Sequence, residues 1–70
     1  MSLMLELKIN GELRQFPEPL SVAGLIDQLA YTGKRIAVEL NGEIVPKSQH
    51  ATTQLASGDQ LEIVVAVGGG

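Results

Sequence analysis

A seventy-residue chain with no cysteine offers few side chains that could do chemistry, and its most suggestive group is not a side chain. The last ten residues read LEIVVAVGGG, an apolar run from Leu61 to Val67 followed directly by Gly68, Gly69 and Gly70. A terminal carboxylate is a poor electrophile until a leaving group is attached to it. Lacking Cβ atoms, glycines permit unusual φ angles and close backbone approach, so this tail can thread a channel that any side chain would block. Three extended residues reach about 10 Å at ~3.3–3.6 Å each, enough to carry a terminus from a docked domain into a neighbouring active site. The plain alternative is a frayed end or a linker. A linker brings serines and follows a polar boundary, whereas these glycines leave an apolar run directly.

The remaining candidates carry less. Without cysteine there is no thiolate nucleophile, no thiolate metal ligand and no disulfide. His50 is the only histidine; it falls in a polar stretch without co-ligands and reads as a solvated loop residue. Ser21 as a nucleophile needs a positioned base, and none is suggested nearby. Asp59 after Gly58 shapes a turn through its side chain. The three glycines are no phosphate loop, since the following helix and lysine are missing. Nothing here has the pattern of an enzyme. The net charge is −3, and Lys8, Arg14, Lys34, Arg35 and Lys47 never form a basic run longer than two, so no nucleic-acid partner is expected. No segment has membrane-spanning length or the layout of a signal peptide, which leaves no membrane role and a cytoplasmic location as the default. Met1 to Leu3 read as an expression scar, with Met4 as the natural start.

The elements that would position the tail are legible in the periodicity. Leu3, Leu5, Leu7 and Ile9 alternate with polar residues, the period-two pattern of a half-buried strand. Asn10-Gly11 suits a two-residue hairpin turn, and a second strand, 12–16, returns until Pro17 and Pro19 stop it. Ser21 reads as a helix N-cap, with Leu20 and Leu25 at the spacing of a hydrophobic staple. Val22, Leu25, Ile26 and Leu29 form one apolar stripe; Gly24 costs roughly 1 kcal/mol of helix propensity, and Gly33 is expected to supply the left-handed stop. Ile36, Val38 and Leu40 point one way and Ala37 and Glu39 the other in a third strand. Asn41-Gly42 marks a second hairpin into a brief fourth strand, 43–45, closed by Pro46. The stretch 47–54 is polar and irregular, Leu55 plugs the core, Ser57 to Asp59 turn, and the last strand runs 60–67.

This order predicts an α+β fold, a mixed sheet with one main helix on one face. The first and last strands have the apolar content of central ones. Side by side and parallel, they give the ubiquitin-like β-grasp, one domain over residues 1–67 with a flexible tail at 68–70. At this point the whole chain resembles the ThiS family, ubiquitin-like sulfur carriers of thiamine biosynthesis and relatives of the MoaD carriers. The resemblance lies in SVAGLIDQL at the helix, VELNGEIVP at the second hairpin and LASGDQLEIVVAVGGG to the end. His50 and Ala66 depart from it, standing where members often carry an aromatic.

The resemblance implies a reaction done to this protein. A partner related to ubiquitin-activating enzymes would use ATP to adenylate the Gly70 carboxylate, and a sulfur-donor protein, usually a persulfide, would convert the acyl-adenylate to a thiocarboxylate. The sulfur would pass to a thiazole synthase. ATP belongs to the partner, so no cofactor is expected on this chain. Val67, Gly68 and Gly69 would form the part of the tail that partners hold. If Leu61, Ile63 and Val65 face the helix, then Glu62, Val64 and Ala66 face away. Ala37 should then lie near Ala66 or Val64 on the neighbouring strand, with Lys8 on the other side near the end of the first strand. The expected docking patch is Ala37, Val64 and Ala66, rimmed by Lys8, Glu39 and Glu62, whose charges would steer encounter. Two other readings stay open: a MoaD-like sulfur carrier for molybdopterin or another pathway, and a ubiquitin-like binding module with a passive tail.

Overall fold

The fold is built on a strand whose alternate residues are buried. In a computed structural model that describes residues 3–66, β1 (Met4–Ile9) buries Leu5, Leu7 and Ile9 and exposes the residues between them. Asn10 and Gly11 follow at φ 51 and 86, the pair of positive angles a type I′ turn requires, and β2 (Glu12–Pro17) returns antiparallel. Further on come the helix α1 (Val22–Gln28), β3 (Ile36–Leu40), β4 (Glu43–Ile44) and β5 (Gln60–Val65). They form a five-stranded sheet in the order β2-β1-β5-β3-β4. β1 and β5 are parallel and central, as the sequence predicts. Met1, Ser2, Val67, Gly68, Gly69 and Gly70 lie outside the described residues.

The core is aliphatic. Leu7, Leu25, Leu61, Val22 and Val38 are the largest fully buried side chains, drawn from three strands and the helix. Each contributes about 1.5–3 kcal/mol relative to an exposed position. Leu55 is buried among them from its loop, as its isolated apolar character suggests. The helix has only seven residues, too few to be stable alone, and its first turn is fully satisfied from outside. Val22 N–H donates to Thr53 C=O at 2.9 Å, Ala23 N–H to His50 C=O at 2.8 Å, and Gly24 N–H to Ser21 Oγ at 3.0 Å. The orphan donors of the helix start are therefore met by one cap residue and one loop. Leu20 and Leu25 are both buried, consistent with the staple.

Three expectations need correction. The helix does not run to Gly33. It ends in a Schellman motif in which Ala30 takes the left-handed position at φ 61, with Ala30 N–H bonded to Asp27 C=O and Tyr31 N–H to Ile26 C=O, both at 3.0 Å. Gly33 serves the next turn, closed by Lys34 N–H to Tyr31 C=O at 3.0 Å. The stretch after Pro46 is not wholly irregular, since Lys47–Gln49 form one 3-10 turn. His50 is not a solvated residue: it is 9% exposed, and its Nε2–H donates to Val45 C=O at 3.1 Å. With its carbonyl also capping α1, His50 pins the loop to the helix. Among the described residues no helix is long and apolar enough to cross a membrane.

Candidate functional site

β5 is the strand that leads to the glycines, and it is held unequally on its two sides. Toward β3 the antiparallel pairing runs from Leu40 opposite Leu61 to Ile36 opposite Val65, and Ala66 N–H still donates to Arg35 C=O at 2.8 Å. Toward β1 the register is Lys8 beside Gln60 and Ile9 beside Leu61, with Asn10 N–H donating to Leu61 C=O at 3.0 Å. There β1 enters its turn, and a side chain continues the ladder. Asn10 Oδ1 accepts from Ile63 N–H at 2.8 Å, and its Nδ2 donates to Ile63 C=O at 3.1 Å. The carboxamide takes the place that the next peptide group of β1 would fill.

The second Asn-Gly turn clamps the start of β5 in the same way. Asn41 N–H donates to Gln60 C=O at 2.7 Å, its Oδ1 accepts from Gln60 N–H at 3.0 Å, and its Nδ2 reaches Asp59 Oδ1 at 3.1 Å. Asp59 in turn accepts from Ala56 N–H at 2.8 Å, so the turn role read for it from sequence holds. The hairpin signals at 10–11 and 41–42 predict the turns; they say nothing of these cross-links, which need the positions of three strands at once.

The face of the sheet away from α1 carries the proposed docking residues. Ala37 lies directly opposite Val64, and Glu39 directly opposite Glu62 in the next outward row. Val64 is 62% exposed, and Ala37 and Ala66 are exposed beyond it. The structure thus brings Ala37, Val64 and Ala66 together, with Glu39 and Glu62 at their edge. Lys8 stands apart from the three apolar residues but lines one groove with the two rim carboxylates. It lies on the other side of β5 near the end of β1, but level with Gln60, four residues short of Val64, about 13 Å along the strand at ~3.3 Å per residue. It lines an open groove of about 590 Å³ with Glu39, Glu62, Asn41, Gln60 and the two turn glycines. Two carboxylates directly opposite one another repel, and among the described residues Lys8 is the one basic side chain that lines the groove with them. Val67, Gly68, Gly69 and Gly70 lie outside the described residues.

Ile44 adds an apolar side chain that the alternation of so short a strand does not single out. It pairs with Glu39 and is 64% exposed, on the same outward face and diagonal to Ala37. The signal was available, because a two-residue Asn-Gly turn places Glu43 opposite Leu40 and therefore Ile44 opposite Glu39. Among the described residues no group of three or more His, Asp or Glu side chains is placed to hold a metal ion.

The sequence model of the ThiS family matches residues 7–70. The chain is similar over 94% of its length, at 30% identity and a TM-score of 0.80, to the whole of the crystallised thiamine biosynthesis protein ThiS from Geobacter metallireducens. It is 46% identical over 66 residues to a thiazole synthase from Paramagnetospirillum magneticum, of which it spans only 20%. It is 36% identical to the uncharacterized protein ycf40 of Porphyra purpurea, covering 93% of that protein.

Proposed function

Because the chain belongs to the ThiS family, the small β-grasp proteins of thiamine biosynthesis, we propose that it is a sulfur carrier on which other proteins act, its reactive group the carboxylate of Gly70. A ubiquitin-activating-type partner would join that carboxylate to AMP from ATP, releasing pyrophosphate. The outer sulfur of a donor protein's persulfide would then displace AMP to give an acyl disulfide, and a second thiol would attack the donor's inner sulfur, releasing the thiocarboxylate and leaving a disulfide. The protein itself supplies no catalytic residue and binds no cofactor; ATP is the partner's. The observation that carries the reading is the extent of the family match, which runs through Gly68 and Gly69 to Gly70.

A thiazole synthase as sulfur acceptor is supported by the relatives. A stretch 46% identical to this chain forms part of one protein named thiazole synthase, and a stretch 29% identical forms part of another, from Magnetococcus marinus. Docking would use the outward face, with Ala37, Val64, Ala66 and Ile44 in contact and Glu39 and Glu62 at the rim. Small side chains there let two backbones approach closely, and the rim charges steer encounter and orientation more than they add affinity. A cytoplasmic site of action accompanies this reading.

Intact mass after incubation with the activating-type enzyme from the same source, ATP and a sulfur donor tests the reading. A parallel sample carries one extra residue after Gly70. The expected result is a gain matching one oxygen replaced by sulfur, absent from the extended chain. No gain with an enzyme shown to be active on another substrate leaves a binding module and removes the carrier.

A further inference from the structure

The helix side of the molecule carries a second surface, built by different residues from the docking face. An open groove of about 560 Å³ runs between the loop joining α1 to β3 and the 3-10 turn after β4. Ile26 and Tyr31 give it an apolar floor, Lys34 and Arg35 stand on one bank, and Lys47 and His50 on the other. Three of the five basic residues of the chain therefore line one groove. The rest of the chain keeps two basic residues against eight acidic ones. No Asp or Glu is among the described residues that line it. In a protein of net charge −3, this segregation opposes the global charge.

We propose that this groove is the docking site of an acidic, partly apolar peptide segment on a protein partner. Charge complementarity selects the acidic character: such a segment is repelled by most of this molecule and attracted at one place, which gives orientation as well as binding. The form of the groove selects a peptide over a small anion. Its cations come from two banks separated by an apolar floor, a spacing that suits carboxylates interleaved with aliphatic side chains. Lys34 is already drawn over the Tyr31 ring, Nζ 5.9 Å from the centroid, a contact that leaves its remaining N–H donors free to turn toward a carboxylate. The His50 ring is held by Val45 C=O at 3.1 Å, which anchors that bank to the end of β4.

The position of the groove matters. Arg35, on its rim, accepts the Ala66 N–H through its carbonyl, at the last described residue before the tail. The groove and the outward apolar face thus flank the same end of β5 from opposite sides of the sheet. A partner using both would hold that strand end between two grips of different chemistry.

The test is an amide chemical-shift titration of the 15N-labelled full chain with a blocked peptide of aspartate and glutamate interrupted by leucines. A matched peptide with lysine in place of the acids, and inorganic phosphate alone, serve as the other probes. The acidic peptide is expected to give saturable shifts confined to residues 31–36 and 47–51. Binding should weaken about tenfold in the double variant Arg35→Glu, Lys47→Glu, as the loss of two exposed ion pairs implies, and should fall with added salt. Both side chains are exposed, and unchanged peaks elsewhere confirm that the variant is folded. Absent shifts, equal shifts with the lysine peptide, or unchanged affinity in the variant overturn the proposal. So does phosphate reproducing the pattern at the same concentration, which makes the groove a small-anion site. No step of this test involves Gly70, so the groove stands or falls independently of the carrier reading.

Discussion

Replacing Asn10 by glycine is the sharpest probe of how β5 is held. Glycine keeps the positive φ of 51° at this turn position without Cβ strain, so the perturbation is confined to the carboxamide. Two part-buried hydrogen bonds to Ile63 are lost, at 2.8 and 3.1 Å. At a net 0.5–1.5 kcal/mol each they stabilise the fold by about 1–3 kcal/mol. The greater freedom of glycine in the unfolded chain and the relief of Cβ strain at this positive φ act in opposite directions and roughly offset. A central figure of about 2 kcal/mol is a large share of the roughly 4–10 kcal/mol expected for a domain of this size. It corresponds to a fall in Tm of about 8–16 °C. Urea unfolding should show a lower midpoint with unchanged slope, and hydrogen exchange should show the Ile63 amide losing protection ahead of the Leu61 amide. A variant within about 0.5 kcal/mol of the parent, with Ile63 still protected, would refute the idea that a side chain extends the β1 ladder.

Three further substitutions test other parts of the account. A Cβ at Gly24 would stand 3.0 Å from Leu20 Cδ1 and 3.4 Å from Ser21 Oγ, so Gly24→Ala should fail to deliver the roughly 1 kcal/mol of helix propensity and should deliver it in a Leu20→Ala background, a coupling read by a double-mutant cycle. Ala30→Gly should stabilise the protein by about 0.5–1 kcal/mol in urea unfolding, because the residue sits at φ 61, where only glycine escapes the Cβ penalty. Val64→Glu, at a position 62% exposed, should leave stability within about 0.5 kcal/mol while raising the KM for the activating partner about tenfold or more; an unchanged KM removes Val64 from the docking face.

Much of this architecture is written in local pattern. The alternation of Leu5, Leu7 and Ile9, the Asn-Gly pairs and the Ser21 cap each act over a few residues, and each element they predict is present. The failures share a cause, which is dependence on distant partners. Gly33 looks like the helix stop because glycine is the usual left-handed residue. The stop comes at Ala30 because burying Ile26 and Leu25 against the sheet fixes where the last turn must end, and an alanine at that place bears the strain. His50 looks solvated because its neighbours are polar, yet its ring and carbonyl serve Val45 and the start of α1, which lie on other elements. The proposed docking face was legible in part for the same reason. Opposing pairs such as Ala37 and Val64 follow from alternation plus topology. The distance of Lys8 from them depends on the stagger between β1 and β5, which no local signal sets.

The same stagger decides how far β5 is held on each side. In a parallel pair the partner strand runs in the same direction, so β1 stops pairing with β5 where its own hairpin turns, and Asn10 extends the contact only as far as Ile63. The antiparallel partner β3 comes from the opposite direction and stays with β5 to Ala66. β5 therefore loses its neighbours one side at a time. Had both partners ended together, the strand would peel from a single point. With β3 holding on to Ala66, β5 is fixed by the sheet as far as that residue. The outward face and the basic groove then flank a fixed point instead of a moving one. From Ala66 the remaining four residues span at most about 13–14 Å when extended. A partner that modified Gly70 would have to bring its reacting atoms within that radius, and the two surfaces beside Ala66 are where it could hold on while doing so.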